Sequence, residues 1–238
     1  MRKEPFSKND YVHIYNRGNR KQSIVHDSRD RNRFLQMLYY FNTENTPFNQ
    51  FQELSRLKLL RFNLNNSFVW PDIWQPRDPI VAIIAFALMN NHFHLLLKEI
   101  KEGGISKFMQ RLGTGMTMYY NTKYQESGCL FQGSYKAKRI DEDMYLRYIS
   151  VYIQIKNPLE LYTGGLKKAV KEFNKAYDWV IDYPYNSLGD FVGTRNSGII
   201  DKDIFSEIFV DQKEYKEFSR DCMLNMNLDE ALEGSILE

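Results

Sequence analysis

His92 and His94 stand two residues apart in Asn91-His92-Phe93-His94-Leu95-Leu96-Leu97, a run that otherwise reads as a buried β-strand, and they are half of the chain's four histidines. Strand side chains alternate faces and rise ~3.3 Å per residue, so the two imidazoles point the same way with Cβ atoms roughly 6.6 Å apart. At that separation they can share one metal ion, while Phe93, Leu95 and Leu97 take the opposite face into a core. The alternative is a strand with two core or edge histidines that bind nothing, and one His-x-His pair does not choose between the two. Cys129 and Cys222 lie far apart with no partner spacing, which fits a reducing compartment and argues against a cysteine-held zinc. Any metal must then take His, carboxylate or amide ligands. A second group is Tyr145, Tyr148 and Tyr152, whose spacings of three and four place them on one stripe of a helix.

The elements that must position these groups follow from periodicity and turn residues. Tyr11-Val12-His13-Ile14-Tyr15 has strand character and runs into the turn Asn16-Arg17-Gly18-Asn19. A helix begins near Asp27 or Ser28, with Phe34, Leu35, Leu38 and Tyr39 on one face. Residues 44–79 are rich in Asn, Gln, Phe and Pro, carry a short helical pattern around Phe51, Leu54 and Leu57, and read as an insertion. The apolar run Val81 to Met89 and the following Asn90-Asn91 predict an antiparallel hairpin, since Asn tolerates the positive φ of tight turns. After Gly103-Gly104 a helix directs Ile105, Phe108, Met109, Leu112, Met116 and Tyr119 at the core, and Cys129 to Ile140 reads as a fourth strand. The order β-α-β-β-α-β predicts an α+β fold, a ferredoxin-like antiparallel sheet with both helices on one face and the other face free for a ligand. A last helix is expected from Asp141, where Asp141, Glu142 and Asp143 complement its dipole, to Pro158, which forces the preceding residue out of helical geometry. The expected division is a domain over 1–160 and a mostly helical extension over 161–238, with patterns such as Ile204, Phe205, Ile208 and Phe209.

Composition sets outer bounds. A 238-residue chain with 43% hydrophobic and 15% aromatic residues is not wholly disordered. No apolar run approaches the ~20 residues that span a bilayer, and Met1-Arg2-Lys3-Glu4-Pro5 lacks the apolar core of a secretion signal. A soluble cytoplasmic protein without a membrane partner is expected. The net charge of +2 does not announce a nucleic-acid binder. Basic residues do gather at Arg17, Arg20 and Lys21, at Arg56, Lys58 and Arg61, and at Lys123, Lys136, Lys138 and Arg139, with acidic residues Asp229, Glu230, Glu233 and Glu238 at the other end. Such faces are by default simply solvated.

Four blocks, in order, resemble the single-tyrosine HUH transposases, and more closely their REP-associated tyrosine transposase branch. They are Tyr11-Val12-His13-Ile14-Tyr15-Asn16-Arg17-Gly18-Asn19, Met89-Asn90-Asn91-His92-Phe93-His94-Leu95-Leu96, Gly128-Cys129-Leu130-Phe131-Gln132-Gly133-Ser134-Tyr135-Lys136, and Tyr152-Ile153-Gln154-Ile155-Lys156-Asn157-Pro158. Tyr183-Pro184-Tyr185-Asn186-Ser187 resembles the branch's C-terminal extension less specifically. The resemblance implies cleavage and rejoining of single-stranded or hairpin DNA, with a helix-borne tyrosine as nucleophile and the histidine pair holding Mg²⁺ or Mn²⁺. Relatives are dimers or monomers, so a homodimer stays open.

Carried onto this chain, the resemblance makes Tyr152 the nucleophile, Tyr148 the reserve, and His92 and His94 the metal ligands. In the family an amide residue usually follows the tyrosine by four, but position 156 here is Lys and Asn157 falls at five. Either the helix end is locally widened or Asn157, released by Pro158, turns back; Gln154 or a water are other third ligands. Arg17, Lys136, Lys138 and Arg139 fit phosphate contacts, and Tyr135 or Phe131 can stack on bases. His13 is either a group supporting the ligands or a satisfied polar residue of the sheet. Two other functions stay open. One is a descendant that binds single-stranded or hairpin DNA without turnover, to which the displaced Asn157 points; the other is a metal-dependent nuclease using water.

Overall fold

Alternation along β1 (Tyr11–Arg17) sends Val12 and Ile14 to one face and His13 and Tyr15 to the other, and all four are buried, so both faces of the strand are covered. In the computed structural model, which describes residues 5–45, 52–53, 67–202 and 208–225, β1 pairs antiparallel on both sides. Its neighbours are β3 (His92–Glu99) and β4 (Lys136–Ile140), and β2 (Val81–Leu88) closes the order β2-β3-β1-β4. With α1 (Ser28–Tyr40) and α2 (Gly104–Tyr124) as the connections, the chain realises the expected β-α-β-β-α-β order. Both helices pack on one face, where Val12, Ile14, Phe93, Leu95 and Leu97 meet Phe34, Leu38, Phe108 and Leu112. Each such side chain contributes about 1.5–3 kcal/mol when fully buried, so this face alone fixes the sheet.

Local chemistry sets the boundaries. Asp27 caps α1, accepting the Arg29 and Asp30 N–H groups at 2.9 and 3.0 Å, while Asp30 reaches back to the Asp27 N–H. The β2–β3 hairpin closes with the Met89 N–H on the His92 carbonyl at 2.9 Å. Its asparagines act differently from the expectation, since neither Asn90 nor Asn91 has positive φ. Their carbonyls instead accept the Ile24 and Gly18 N–H groups, each at 2.8 Å, and so tie the hairpin to the loop after β1. Gly18 is required there, because a Cβ would lie 2.1 Å from the Gln22 carbonyl oxygen.

Three expectations are corrected. The fourth strand begins at Lys136 and not at Cys129, because the Asn16 amide takes the Gly133 carbonyl at 3.0 Å in place of a ladder bond, and the segment before it meets the end of β1 through a Gly18–Phe131 bridge with the Gln132 N–H on the Arg17 carbonyl at 3.0 Å. The last helix does not stop before Pro158. α3 (Asp143–Val151) widens into a π-helical turn, Tyr152–Lys156, and continues through Asn157–Leu159 with Asn157 helical at φ −58° and ψ −53°. Widening to i→i+5 bonding, seen in the Asn157 N–H on the Tyr152 carbonyl, accommodates the proline ring that an α-helical turn would meet.

The third correction concerns the sheet face expected to be free. It is covered by α3, the π-turn and the extension, which holds α4 (Gly165–Lys171), α5 (Phe173–Asp182), α6 (Leu188–Phe191) and α7 (Gln212–Asn225). Ala82, Ala85, Ala87 and Leu96 on the sheet form a second core with Ile149, Ile153, Phe173, Tyr177, Val180 and Tyr215. A bulge between Ile83 and Ala85 shifts β2 so that small residues line this side, leaving room for the helix. Behind α6 a buried Asp190–Arg195 pair at 2.7 Å anchors the loop, with Asp190 also accepting the Ser197 N–H at 2.6 Å. At the end of the 44–79 segment Phe68, Trp70 and Trp74 pack on Tyr39 and Tyr40. The helical pattern at Phe51, Leu54 and Leu57, and Ile204 and Phe205 of the extension, lie outside the described residues. Among those described, no helix is long and apolar enough to cross a membrane.

Asp30 joins α1 to α2. Its buried carboxylate is paired with Lys123 and accepts the hydroxyls of Tyr119 and Tyr124 at 3.0 and 2.7 Å and the His26 N–H at 2.7 Å. Burial alone would raise its pKa, but the Lys123, Tyr124, His26 and Tyr119 hydrogen bonds outweigh it and hold the group down at about 2. Asp30→Asn is therefore expected to lower the unfolding free energy at pH 7 by about 3 kcal/mol, the scale for breaking a buried pair. The folded pKa lies below the unfolded one, so the wild-type advantage is present above about pH 4 and fades as pH falls toward 2. Urea titrations of both proteins across that window check the step, and a variant as stable as wild type at neutral pH would contradict it.

Candidate active site

The register of β1 against β3 places Tyr15 opposite His94, Arg17 opposite His92 and His13 opposite Leu96. All of these side chains therefore share the covered face. One row across the sheet reads Ala87, His94, Tyr15, Lys136, and the next reads Leu96, His13, Lys138. His94 has no solvent exposure, and its Nδ1 lies 2.9 Å from His13 Nε2. When His94 Nδ1–H donates to His13, His94 Nε2 presents a lone pair, and that buried nitrogen has no protein partner. Tyr15 stacks on His94 with ring centroids 5.7 Å apart and lies 5.1 Å from His13. His92 is partly exposed, its Nδ1 lies 2.7 Å from Asn91 Oδ1, and its ring stands perpendicular to that of His94 at 5.3 Å.

The three imidazoles are kept neutral. Burial pushes His13 down to about 3, helped by Lys138. Burial and then Arg17 lower His92 to about 4, opposed by a hydrogen bond the ring donates to the Asn157 side chain and reinforced by Lys156. Burial holds His94 well below the usual histidine range, with His13, His92, Lys156 and Arg17 adding to it. Neutral imidazole is the form that ligates a cation.

The tyrosine helix crosses over these rings. Tyr152 is only 3% exposed, and its ring lies edge-on to His94 at 5.4 Å and to His13 at 6.4 Å. Asn157 sits one π-turn further on, donating from Nδ2 to the Tyr152 carbonyl at 2.9 Å and bonding to His92. Of the two arrangements left open by the sequence, the locally widened helix is the one present. Lys156, which stands where relatives of the resembled family carry the amide, places its ammonium 4.9 Å from the centre of the Tyr152 ring and 3.5 Å from Glu160.

Other residues singled out by sequence lie elsewhere. Gln154 faces away, donating its NH₂ to Ser187 Oγ at 2.8 Å and accepting the Tyr215 hydroxyl on Oε1 at 2.7 Å, so its amide is not available as a ligand. Tyr148 stacks on Phe218 of α7 at 5.5 Å, against the extension. Arg17, Lys136 and Lys138 belong to the histidine face, where Lys138 lies 4.4 Å over the Tyr145 ring. Arg139 does not, because alternation turns it to the other face and Asp141 pairs with it at 2.8 Å. Tyr135 packs with the α1–α2 core and lines a groove of about 540 Å³ between α2 and residues 129–135, away from the histidines. Tyr15 and Lys156 were not singled out by sequence; the His13-x-Tyr15 alternation on a strand facing the His pair was the available signal for Tyr15.

Among the described residues no three His, Cys, Asp or Glu side chains converge as a metal cluster. The set present is two neutral imidazoles and one amide. It fits a hard divalent cation that takes nitrogen and carbonyl donors, and the unpartnered buried His94 Nε2 is the atom such an ion would satisfy.

No curated protein matches the chain. A solved structure described as a REP-associated tyrosine transposase bound to a REP hairpin is similar at 13% identity, covering 85% of this chain and 88% of that one with a TM-score of 0.47. The model of the family described as IS200-like transposases matches residues 77–156. That segment, similar to the IS200-like transposase family, carries both histidines and Tyr152.

Proposed function

We propose that the chain is a single-stranded DNA endonuclease and strand transferase in which Tyr152 carries the cut strand as a 5′-phosphotyrosine. The observation that supports it best is the Tyr152 ring set edge-on to His94 at 5.4 Å, at the point where the paired histidines meet the π-turn bearing Asn157. In the step, the Tyr152 phenolic oxygen bonds to phosphorus, the bond from phosphorus to the 3′ oxygen breaks, the phenol releases its proton and the 3′ oxygen gains one. Ester energy is conserved, so the reverse reaction joins strands without water or a nucleotide cofactor.

Each residue near the tyrosine has a part. His92, His94 and Asn157 would hold Mg²⁺ or Mn²⁺, which when bound neutralises and polarises the scissile phosphate. Lys156 over the ring favours the phenolate as the proton leaves. His13 fixes the His94 ring by hydrogen bonding to the nitrogen turned away from the reaction. Arg17, Lys136 and Lys138 supply positive charge along the backbone of a single strand or hairpin. The five-residue offset of Asn157, the feature that pointed to a binding module without turnover, is taken up by the π-turn.

Two outcomes are expected. Tyr152→Phe keeps the ring that packs on His94, so it should bind DNA within about twofold of wild type while adduct formation falls below detection. With hairpin oligonucleotides and Mn²⁺, mass spectrometry of the wild-type adduct should locate the nucleotide on the Tyr152 peptide. Attachment at Tyr148, or cutting without any adduct, would refute the assignment. His92→Ala and His94→Ala should each abolish cleavage and leave hairpin affinity nearly unchanged, because phosphate contacts come from Lys and Arg. Cleavage surviving in the double variant would remove the metal from the scheme.

A further inference from the structure

We infer that Asn186, in the C-terminal extension, is a positioning residue for the Asn157 amide: it holds the π-turn open so that Asn157, and not Lys156, lies one turn beyond Tyr152. The inference rests on the proposed pairing of Asn157 with His92 in the site. Pro158 has no N–H, so the carbonyls a continuing helix would aim at it lose that donor: Gln154 in an α-helical ladder, Ile153 in a π-helical one. Asn186 Nδ2 donates to both, at 3.1 Å to Gln154 and 3.4 Å to Ile153. These are buried carbonyls, and a donor supplied from outside the helix removes the drive to rearrange the turn.

The donor is itself fixed. Asn186 is fully buried, its Oδ1 accepts the Leu188 N–H at 2.6 Å, and its carbonyl accepts from Arg195, which the Asp190 carboxylate holds in place. It also forms a bridge with Ala87, the β2 residue opposite His94. Asn186 is thus referenced to the same sheet row as the histidine it helps the tyrosine helix to meet. Ser187 and Tyr215 clamp the Gln154 amide beside it. Without the Asn186 donor the turn tightens toward i→i+4 pairing, which swings the Asn157 amide about 100° around the helix away from His92.

Asn186→Asp separates this role from capping, because it keeps an oxygen for the Leu188 N–H and removes the amide donor. In DNA-free protein that stays folded the His92 ring and Asn157 side-chain amide resonances should move and Mn²⁺ affinity should fall ~10-fold. With hairpin DNA, the adduct rate at saturation should fall while the DNA dissociation constant holds. In an Asn157→Ala background the same substitution should cost no further Mn²⁺ affinity, since the two act as one unit. Pro158→Ala restores the missing donor and should displace Asn157 from the other side, giving a second test if Asn186→Asp does not fold. Unmoved His92 and Asn157 resonances in the folded variants, or an equal loss of Mn²⁺ affinity in the Asn157→Ala background, would overturn the inference. Moved resonances in a protein that never binds Mn²⁺ would uphold the positioning role and sink the metal assignment alone.

Discussion

The antiparallel register between β1 and β3 is the constraint on which the other features rest, because a slip of one residue would turn every side chain to the opposite face. Val12, Ile14, Phe93, Leu95 and Leu97 set that register from the helix-covered side, where all are buried. The Gly18 N–H on the Asn91 carbonyl pins its end beside His92. With this pairing in place, His13 must meet His94, Tyr15 must stack on it, and Arg17 must lie beside His92. Ordinary apolar packing on one side thus delivers the polar constellation on the other.

That constellation would be costly if left half-solvated and loosely held. The extension removes the uncertainty by building a second core over it, so that the tyrosine helix is gripped between the alanines of β2 and residues of α5 and α7. Burial favours the neutral form of all three histidines. Removing water from around the tyrosine also strengthens each remaining electrostatic interaction, the Lys156 ammonium over the ring above all. The C-terminal segment is therefore part of the site's construction.

Sheet order, the histidine face and the tyrosine helix were legible because each rests on a local period: two for strands, three and four for the helix. What was not legible depends on contacts between distant segments. The face expected to be free is covered by α3 and the π-turn, about fifty to sixty positions downstream of His94, and by the extension, more than seventy positions downstream, and nothing near His94 announces them. Asn90 and Asn91 looked like turn formers, but their function is to accept hydrogen bonds from Gly18 and Ile24. Pro158 looked like a helix stop, a sound local expectation that failed because a widened turn and a side chain from Asn186 meet its needs. Arg139 was grouped with Lys138 by charge alone, although neighbours in a strand point opposite ways.

The π-turn also bears on how a motif should be written. A spacing of four between a tyrosine and an amide states a helical pitch in units of residues, and it holds only where the ladder is α-helical. Here the ladder is i→i+5, so the same point in space is reached one letter later. A pattern that counts letters would find Lys156 and record a missing amide, while one that counts hydrogen-bonded turns finds Asn157. In this chain the proline just after the amide, Pro158, marks which unit of length applies.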